Sequence, residues 1–159
     1  MSRAFVAIGS NLQDPVRQVN QAFELLKQLP ETRVIKSSAL YRTAPIGYEN
    51  QPDFINAVVE VSTQLAPLDL MRALLQAEAE QGRERPFPNA PRVLDLDLLL
   101  YDDCVMNTPE LTLPHPGMYE RGFVLMPLTE IAPDLQIAGK GAVTTLLAAC
   151  ADKDIKKLA

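Results

Sequence analysis

The chain has 159 residues, 47% hydrophobic and 22% charged, a balance that lets one domain spanning residues 1–159 bury most of its apolar surface without staples. Its net charge of −5, from 15 basic and 20 acidic residues, argues against a protein that coats nucleic acid, so any phosphate it binds must meet a local basic cluster. Cys104 and Cys150 form no metal-spaced pair and are expected as reduced thiols; no secretory leader or membrane-spanning run is read, so a cytoplasmic protein is expected.

Ala4 to Ile8 reads as a first strand, broken by Gly9-Ser10-Asn11. Asp14 looks like an N-cap with Pro15 at the first helical position, where a missing N–H is harmless. Val16, Val19, Phe23 and Leu26 then recur at spacings of three and four, giving an amphipathic helix that stops at Pro30. Arg33-Val34-Ile35 and Ala39-Leu40-Tyr41 read as extended chain leading into a loop turned by Pro45 and Gly47.

Phe54 to Thr63 alternates cleanly: Ile55, Ala57, Val59 and Val61 make a core face, while Phe54 and Asn56 share the other. A ring beside an amide suits a planar heterocycle, since the ring stacks and the amide reads an edge. The plainer alternative is an exposed amide beside a partly packed ring.

Pro67 opens a second helix with Met71, Leu74, Leu75 and Ala77 or Glu78 on its stripe and Gly82 as its stop. Glu78 either faces a ligand or arginine at the end of that stripe or pairs with Arg85. The loop that follows carries Arg83, Arg85 and Arg92 among Pro86, Pro88 and Pro91, which forbid a regular element.

From Arg92 to Tyr101 the chain is nearly all apolar, interrupted by Asp95 and Asp97. As a strand it points Leu94, Leu96, Leu98 and Leu100 one way and both carboxylates the other; a helix would set the pair about 200° apart. Aligned carboxylates with alpha carbons roughly 6.6 Å apart repel each other unless a cation lies between them. Oxygen ligands suit magnesium; salt bridges to arginines are the bland alternative. Guanidinium groups beside such a pair fit a polyphosphate, arginine taking its outer oxygens and the metal its inner ones, unless the loop is simply a solvated basic one.

Leu111 to Gly117 is too proline-rich for a helix and holds His115, either an ordinary surface histidine or part of a cluster with Tyr119, Arg121 and Phe123. Phe123 to Ala132 looks helical, kinked or broken by Pro127. A short strand or loop follows Asp134, then a small helix over Val143 to Cys150 and a frayed tail over Asp152 to Lys157. The order strand, helix, strand, strand, helix, strand predicts an α+β, ferredoxin-like βαββαβ core with an antiparallel sheet and C-terminal additions. In that architecture helices cover one face, leaving the face of Phe54, Asn56, Asp95 and Asp97 for a site.

Seven short motifs in order strengthen this reading: Ala7-Ile8-Gly9-Ser10-Asn11-Leu12, Tyr41-Arg42-Thr43, Gln51 to Ala57, Gly82-Arg83-Glu84-Arg85, Pro91 to Asp97, Leu113-Pro114-His115-Pro116 and Arg121 to Leu125. With these the chain resembles the 6-hydroxymethyl-7,8-dihydropterin pyrophosphokinases of folate biosynthesis, from Ala7 to about Leu135. The resemblance implies transfer of the β,γ-diphosphate of ATP to the pterin hydroxymethyl oxygen with release of AMP.

It also implies that Asp95 and Asp97 hold two magnesium ions and that the pterin stacks between Phe54 and Phe123. The pterin edge would be read by Asn56, Thr43 and backbone groups near Pro45 and Ile46. ATP would be held by Arg83, Arg85, Arg92, His115 and Arg121, with Glu78 in or near the nucleotide pocket and Arg83 and Arg92 also counted as catalytic. ATP and the pterin are the expected partners of a monomer that touches neither nucleic acid nor membrane. The chain departs from many relatives in lacking an Arg-Trp pair before Arg92, in Pro116 where Tyr is frequent, and in Phe54 where Tyr is common. A non-catalytic ferredoxin-like binding module is the runner-up, and a metal-dependent nuclease a third reading that the net charge disfavours.

Overall fold

The alternation read over Phe54 to Thr63 becomes the central strand of a six-stranded antiparallel sheet. The computed structural model describes residues 1–11, 14–44, 53–81, 94–150 and 155–158. In chain order they form β1 (Ser2–Ser10), α1 (Pro15–Lys27), β2 (Thr32–Ser37), β3 (Tyr41–Thr43), β4 (Phe54–Thr63), α2 (Pro67–Gln81) and β5 (Asp95–Tyr101). After these come β6 (Met106–Asn107), β7 (Thr112–Leu113), a 3-10 turn (Met118–Glu120), α3 (Gly122–Ile131), β8 (Gln136–Ile137), β9 (Gly141–Ala142), α4 (Val143–Ala149) and β10 (Ile155–Lys157).

The sheet order is β10-β3-β4-β1-β5, with β2 joining β4 beside β3. β2 and β3 act as one strand interrupted at Ser38, whose side chain stands in for the missing ladder bond. Its Oγ accepts the Val58 N–H at 2.9 Å while its own N–H donates to the Val58 carbonyl at 2.9 Å. Counted this way, the order is βαββαβ, and the fold is α+β of the ferredoxin-like kind.

One face of the sheet is closed. Val6 and Ile8 of β1, Ile55, Ala57, Val59 and Val61 of β4, and Leu94, Leu96 and Leu98 along β5 pack against Val19, Ala22 and Leu26 of α1 and Leu70, Leu74 and Ala77 of α2. The other face carries a second cluster, in which Phe5, Val58, Leu99 and Leu100 meet Val124, Leu125, Leu128 and Ile131 of α3 and Val143 of α4. The sequence reading left that face free for a site; instead α3 and α4 pack over part of it. The C-terminal additions cover one end of it.

Other local expectations shift for physical reasons. β1 runs on through Gly9 and Ser10, because both pair with β4 and the glycine is needed there, as shown below. Asp14 offers no side-chain cap. Its backbone is left-handed, φ 62°, instead of the extended conformation from which a cap reaches the N2 and N3 amides, and its carbonyl accepts Gln18 N–H at 3.0 Å. On α2 the stripe runs through Leu70, and Leu75 is 50% exposed. Leu100 leaves the face of Leu94, Leu96 and Leu98: Phe5 pairs with Leu100 and Val6 with Leu98, so Leu99 is an extra residue that switches the alternation. Ile155–Lys157 of the expected frayed tail is a strand paired with β3, covering an edge that short polar segments can cap. The Gly82 stop lies outside the described residues.

Candidate active site

The second face of the sheet changes character along its length. On β1 the side chains shrink from Phe5 to Ala7 to Gly9; on β4 Val58 gives way to Asn56; on β5 Leu99 gives way to Asp97 and Asp95. The register aligns these changes. Val58, Ala7 and Asp97 form one row across the three strands, and Asn56, Gly9 and Asp95 the next. Directly opposed residues share a face, so the Asn56 amide and both carboxylates stand on one floor. Gly9 makes the floor possible: a β-carbon there would sit 3.1 Å from Asn56 Oδ1.

Above the floor α3 and the 3-10 turn supply the other wall, leaving a cavity of about 350 Å³. Thr43, Phe54, Asn56, Asp95, Asp97, His115, Arg121 and Phe123 all line it. Asn56 is 6% exposed and donates through Nδ2 to Thr43 Oγ1 at 3.1 Å, so the amide is held in orientation instead of waving in solvent. β3 in turn is tied to α3: Tyr41 Oη donates to Glu130 Oε1 at 2.5 Å, and burial together with that carboxylate pushes the phenol pKa far up.

His115 is half-buried at the cavity, well away from the solvent-exposed loop position that a lone histidine usually takes. Its N–H donates to the Leu99 carbonyl at 2.9 Å, bringing the β7 exit onto β5. Burial holds its imidazole below the ordinary histidine pKa, with the Asp97 carboxylate pulling upward and the Arg121 guanidinium downward. The Gly117 N–H donates to Nδ1 at 3.1 Å, so Nδ1 is the acceptor and the neutral ring carries its proton on Nε2.

A second cavity of about 300 Å³ opens on the far side of Asp97 and His115, which line both. Its walls are Met71, Leu74 and Leu75 of α2, Leu96 and Leu98 of β5, and Leu111, with Glu110 and Thr112 also lining it. This gives the exposed Leu75 a use. Glu78 bears on the same strand, its Oε2 accepting the Leu96 N–H at 3.0 Å between the two aspartates. Asp95 and Asp97 are oxygen donors of the kind magnesium takes, since that ion uses one or two carboxylates and keeps water and phosphate oxygens; among the described residues no group of three or more His, Cys, Asp or Glu is placed to hold a metal ion.

Sequence reasoning missed Gly9, Leu99, Met118 and Val124 as lining residues, and the tie between Thr43 and Asn56. The glycine at the end of β1 was the one readable signal; the others depend on register and on α3 closing over the sheet. Pro45, Ile46, Arg83, Arg85 and Arg92 lie outside the described residues.

Comparison with known proteins bears on the fold and the family. A solved structure described as HPPK-DHPS in complex with substrates aligns with a TM-score of 0.76 at 14% identity, covering 99% of this chain and 46% of that one. A Plasmodium falciparum HPPK-DHPS structure gives 0.77 at 13% identity over 98% and 48%, so this chain spans just under half of each, and the likeness speaks for the fold. Among sequence relatives, 2-amino-4-hydroxy-6-hydroxymethyldihydropteridine pyrophosphokinase of Pseudomonas aeruginosa is 44% identical over 99% of this chain and 98% of its own. The Haemophilus influenzae protein of the same name is 41% identical over 99% of both. A family model for 7,8-dihydro-6-hydroxymethylpterin-pyrophosphokinase matches residues 5–133, and with the two full-length relatives it shows that the chain belongs to that family.

Proposed function

We propose that the chain transfers the β,γ-diphosphate of ATP to the hydroxymethyl oxygen of 6-hydroxymethyl-7,8-dihydropterin, releasing AMP, in the synthesis of folates. The observation that carries the reading is the meeting of two cavities at Asp97 and His115. One offers two aromatic rings and an oriented amide, the chemistry of a pterin site; the other offers an apolar slot for the nucleoside.

Each residue takes a role that its surroundings support. Phe54 and Phe123 stack the pterin, and Asn56 and Thr43 read its edge, with backbone groups of Pro45 and Ile46. His115, through Nε2–H, and Arg121 hold phosphate oxygens, joined by Arg83, Arg85 and Arg92. Glu78 acts on the nucleotide side by steadying β5 between the aspartates. Asp95 and Asp97 hold magnesium, two ions in all, and the metal supplies charge neutralisation on the phosphates.

The chemistry is positioning followed by in-line displacement. The hydroxymethyl oxygen forms a bond to the β-phosphorus, the bond from that phosphorus to the oxygen bridging to the α-phosphate breaks, and AMP leaves with the electron pair. Asp97 takes the hydroxyl proton. Arg83 and Arg92 offset the charge that grows on the leaving and transferred groups. No helix among the described residues is long and apolar enough to cross a membrane. We further assign residues 1–159 to one domain that works in the cytoplasm as a monomer; light scattering on the purified chain tests the monomer.

The deciding experiment is AMP formation from ATP and magnesium with and without the pterin, for the native chain and for Asp97→Ala. The expected result is pterin-dependent AMP that falls about 10²–10³-fold in the variant, the scale of losing a preorganised electrostatic group. Pterin binding without AMP release from the native chain would overturn the reading in favour of a binding module.

A further inference from the structure

Between His115 and Arg121 the chain turns through Gly117, whose backbone lies at φ −85°, ψ −8°. That is the edge of the right-handed region, where the third residue of a type I turn sits and non-glycine residues are ordinary, so the turn itself does not call for glycine. The space does. A β-carbon on Gly117 would lie 2.8 Å from Arg121 Cζ and 3.0 Å from both Nη1 and Nη2. Three nearly equal distances mean that the guanidinium lies flat against the glycine. On the same arginine, Cζ stands 5.9 Å from the centre of the Phe123 ring. A guanidinium packed by its face keeps its N–H donors at the rim. The same glycine also donates its N–H to His115 Nδ1 at 3.1 Å, which leaves Nε2 as the donor of that ring.

We infer that Gly117 is a positioning residue for the nucleotide's phosphates: its missing side chain seats Arg121, and its N–H orients His115, so that both donors stand beside Asp95 and Asp97, where the two cavities meet. The inference rests on the reading that Arg121 holds ATP phosphates. It adds a specific requirement, that the position be empty beyond the α-carbon. Because the crowded atoms are the far end of a flexible side chain, alanine there displaces Arg121 and leaves the backbone alone. Alanine also restricts the unfolded chain at a conformation it adopts without strain, so Gly117→Ala is expected to unfold at the same temperature as the native chain or higher. Loss of function with no loss of stability distinguishes a seat for Arg121 from an ordinary packing position.

The test is the dissociation constant of a nonhydrolysable ATP analogue with magnesium, measured for the native chain, Gly117→Ala, Arg121→Ala and the double variant. Gly117→Ala should weaken binding about 10-fold, the low end for a charge-assisted hydrogen bond. In the Arg121→Ala background the same substitution should change nothing further, because the group it displaces is gone. Native-like binding by Gly117→Ala alongside weakened binding by Arg121→Ala would sink the inference and spare the reading of Arg121. Native-like binding by Arg121→Ala would remove both. Additive losses in the double variant, or a lowered unfolding midpoint in Gly117→Ala, would show that the glycine acts through the backbone and overturn the assignment.

Discussion

On β1 the residues Val6 and Ile8 are sealed against α1 and α2, while Ala7 and Gly9, one position away on the same strand, floor an open cavity. The same division runs along β4 and β5. Ile55 and Ala57 are core where Asn56 is site, and Leu96 and Leu98 are core where Asp95 and Asp97 are site. A period of two lets one strand serve both purposes, because away from the bulge at Leu99 neighbouring side chains point to opposite faces. The closed face is built of branched and aliphatic groups that exclude water; the open one keeps polar groups at one end and apolar cover at the other. Stability and chemistry should therefore separate under mutation, and each substitution below tests how completely.

The largest effect belongs to the closed face. Leu26 is fully buried between α1 and the sheet. Leu26→Ala is expected to cost about 2–5 kcal/mol, the lost transfer of the side chain plus the cavity left behind, read from urea unfolding. Turnover per folded molecule should stay as in the native chain. A variant that unfolds normally but loses activity would show that the two faces are not independent.

Next comes the open face. Asn56→Ala removes one neutral hydrogen bond, to Thr43, so its cost in folding should be about 1 kcal/mol, well below that of Leu26→Ala. Its cost in pterin binding should be larger, about 10- to 100-fold, because a buried edge of the ligand loses its partner. Calorimetric titration of pterin into both proteins checks this. An unchanged affinity would return Asn56 to a purely structural role, holding β3 against β4.

How much of this was readable from the residues depends on which distances matter. The pairing of Phe54 with Asn56, and of Asp95 with Asp97, needs only alternation within one strand, and it survives in the structure. Bringing the two strands into one site needs register, which no single segment carries: the row of Asn56, Gly9 and Asp95 exists because β1 lies between β4 and β5. The bulge at Leu99 was hidden for the same reason, since an extra residue shows only against a partner strand. The tail was misjudged because Ile155-Lys156-Lys157 gains its strand character from the open edge of β3 and not from its own composition. Cover over the second face is a matter of where α3 returns, and the order of elements alone does not contain it.

The smallest effect probes the border between the two environments. Burial holds His115 below the ordinary histidine pKa while Asp97 pulls the other way. A group whose folded pKa is depressed binds its proton more readily in the unfolded chain, so the stability it leaves to the native state is full above the unfolded value, about 6.5, and drains away as pH falls through the folded one. The slope amounts to at most one proton per molecule. His115→Gln keeps a polar side chain and abolishes that titration; the carboxylates that dominate acid unfolding are common to both proteins and cancel in the difference. The native chain should therefore lose stability relative to His115→Gln between pH 7.5 and 5. A flat difference would mean that the ring is as well hydrated as in the unfolded chain. A difference that grows in favour of the native chain would mean that Asp97 outweighs burial, its charge acting on the ring with little screening, so that the carboxylate and not the apolar cover sets the electrostatics at the border of the two faces.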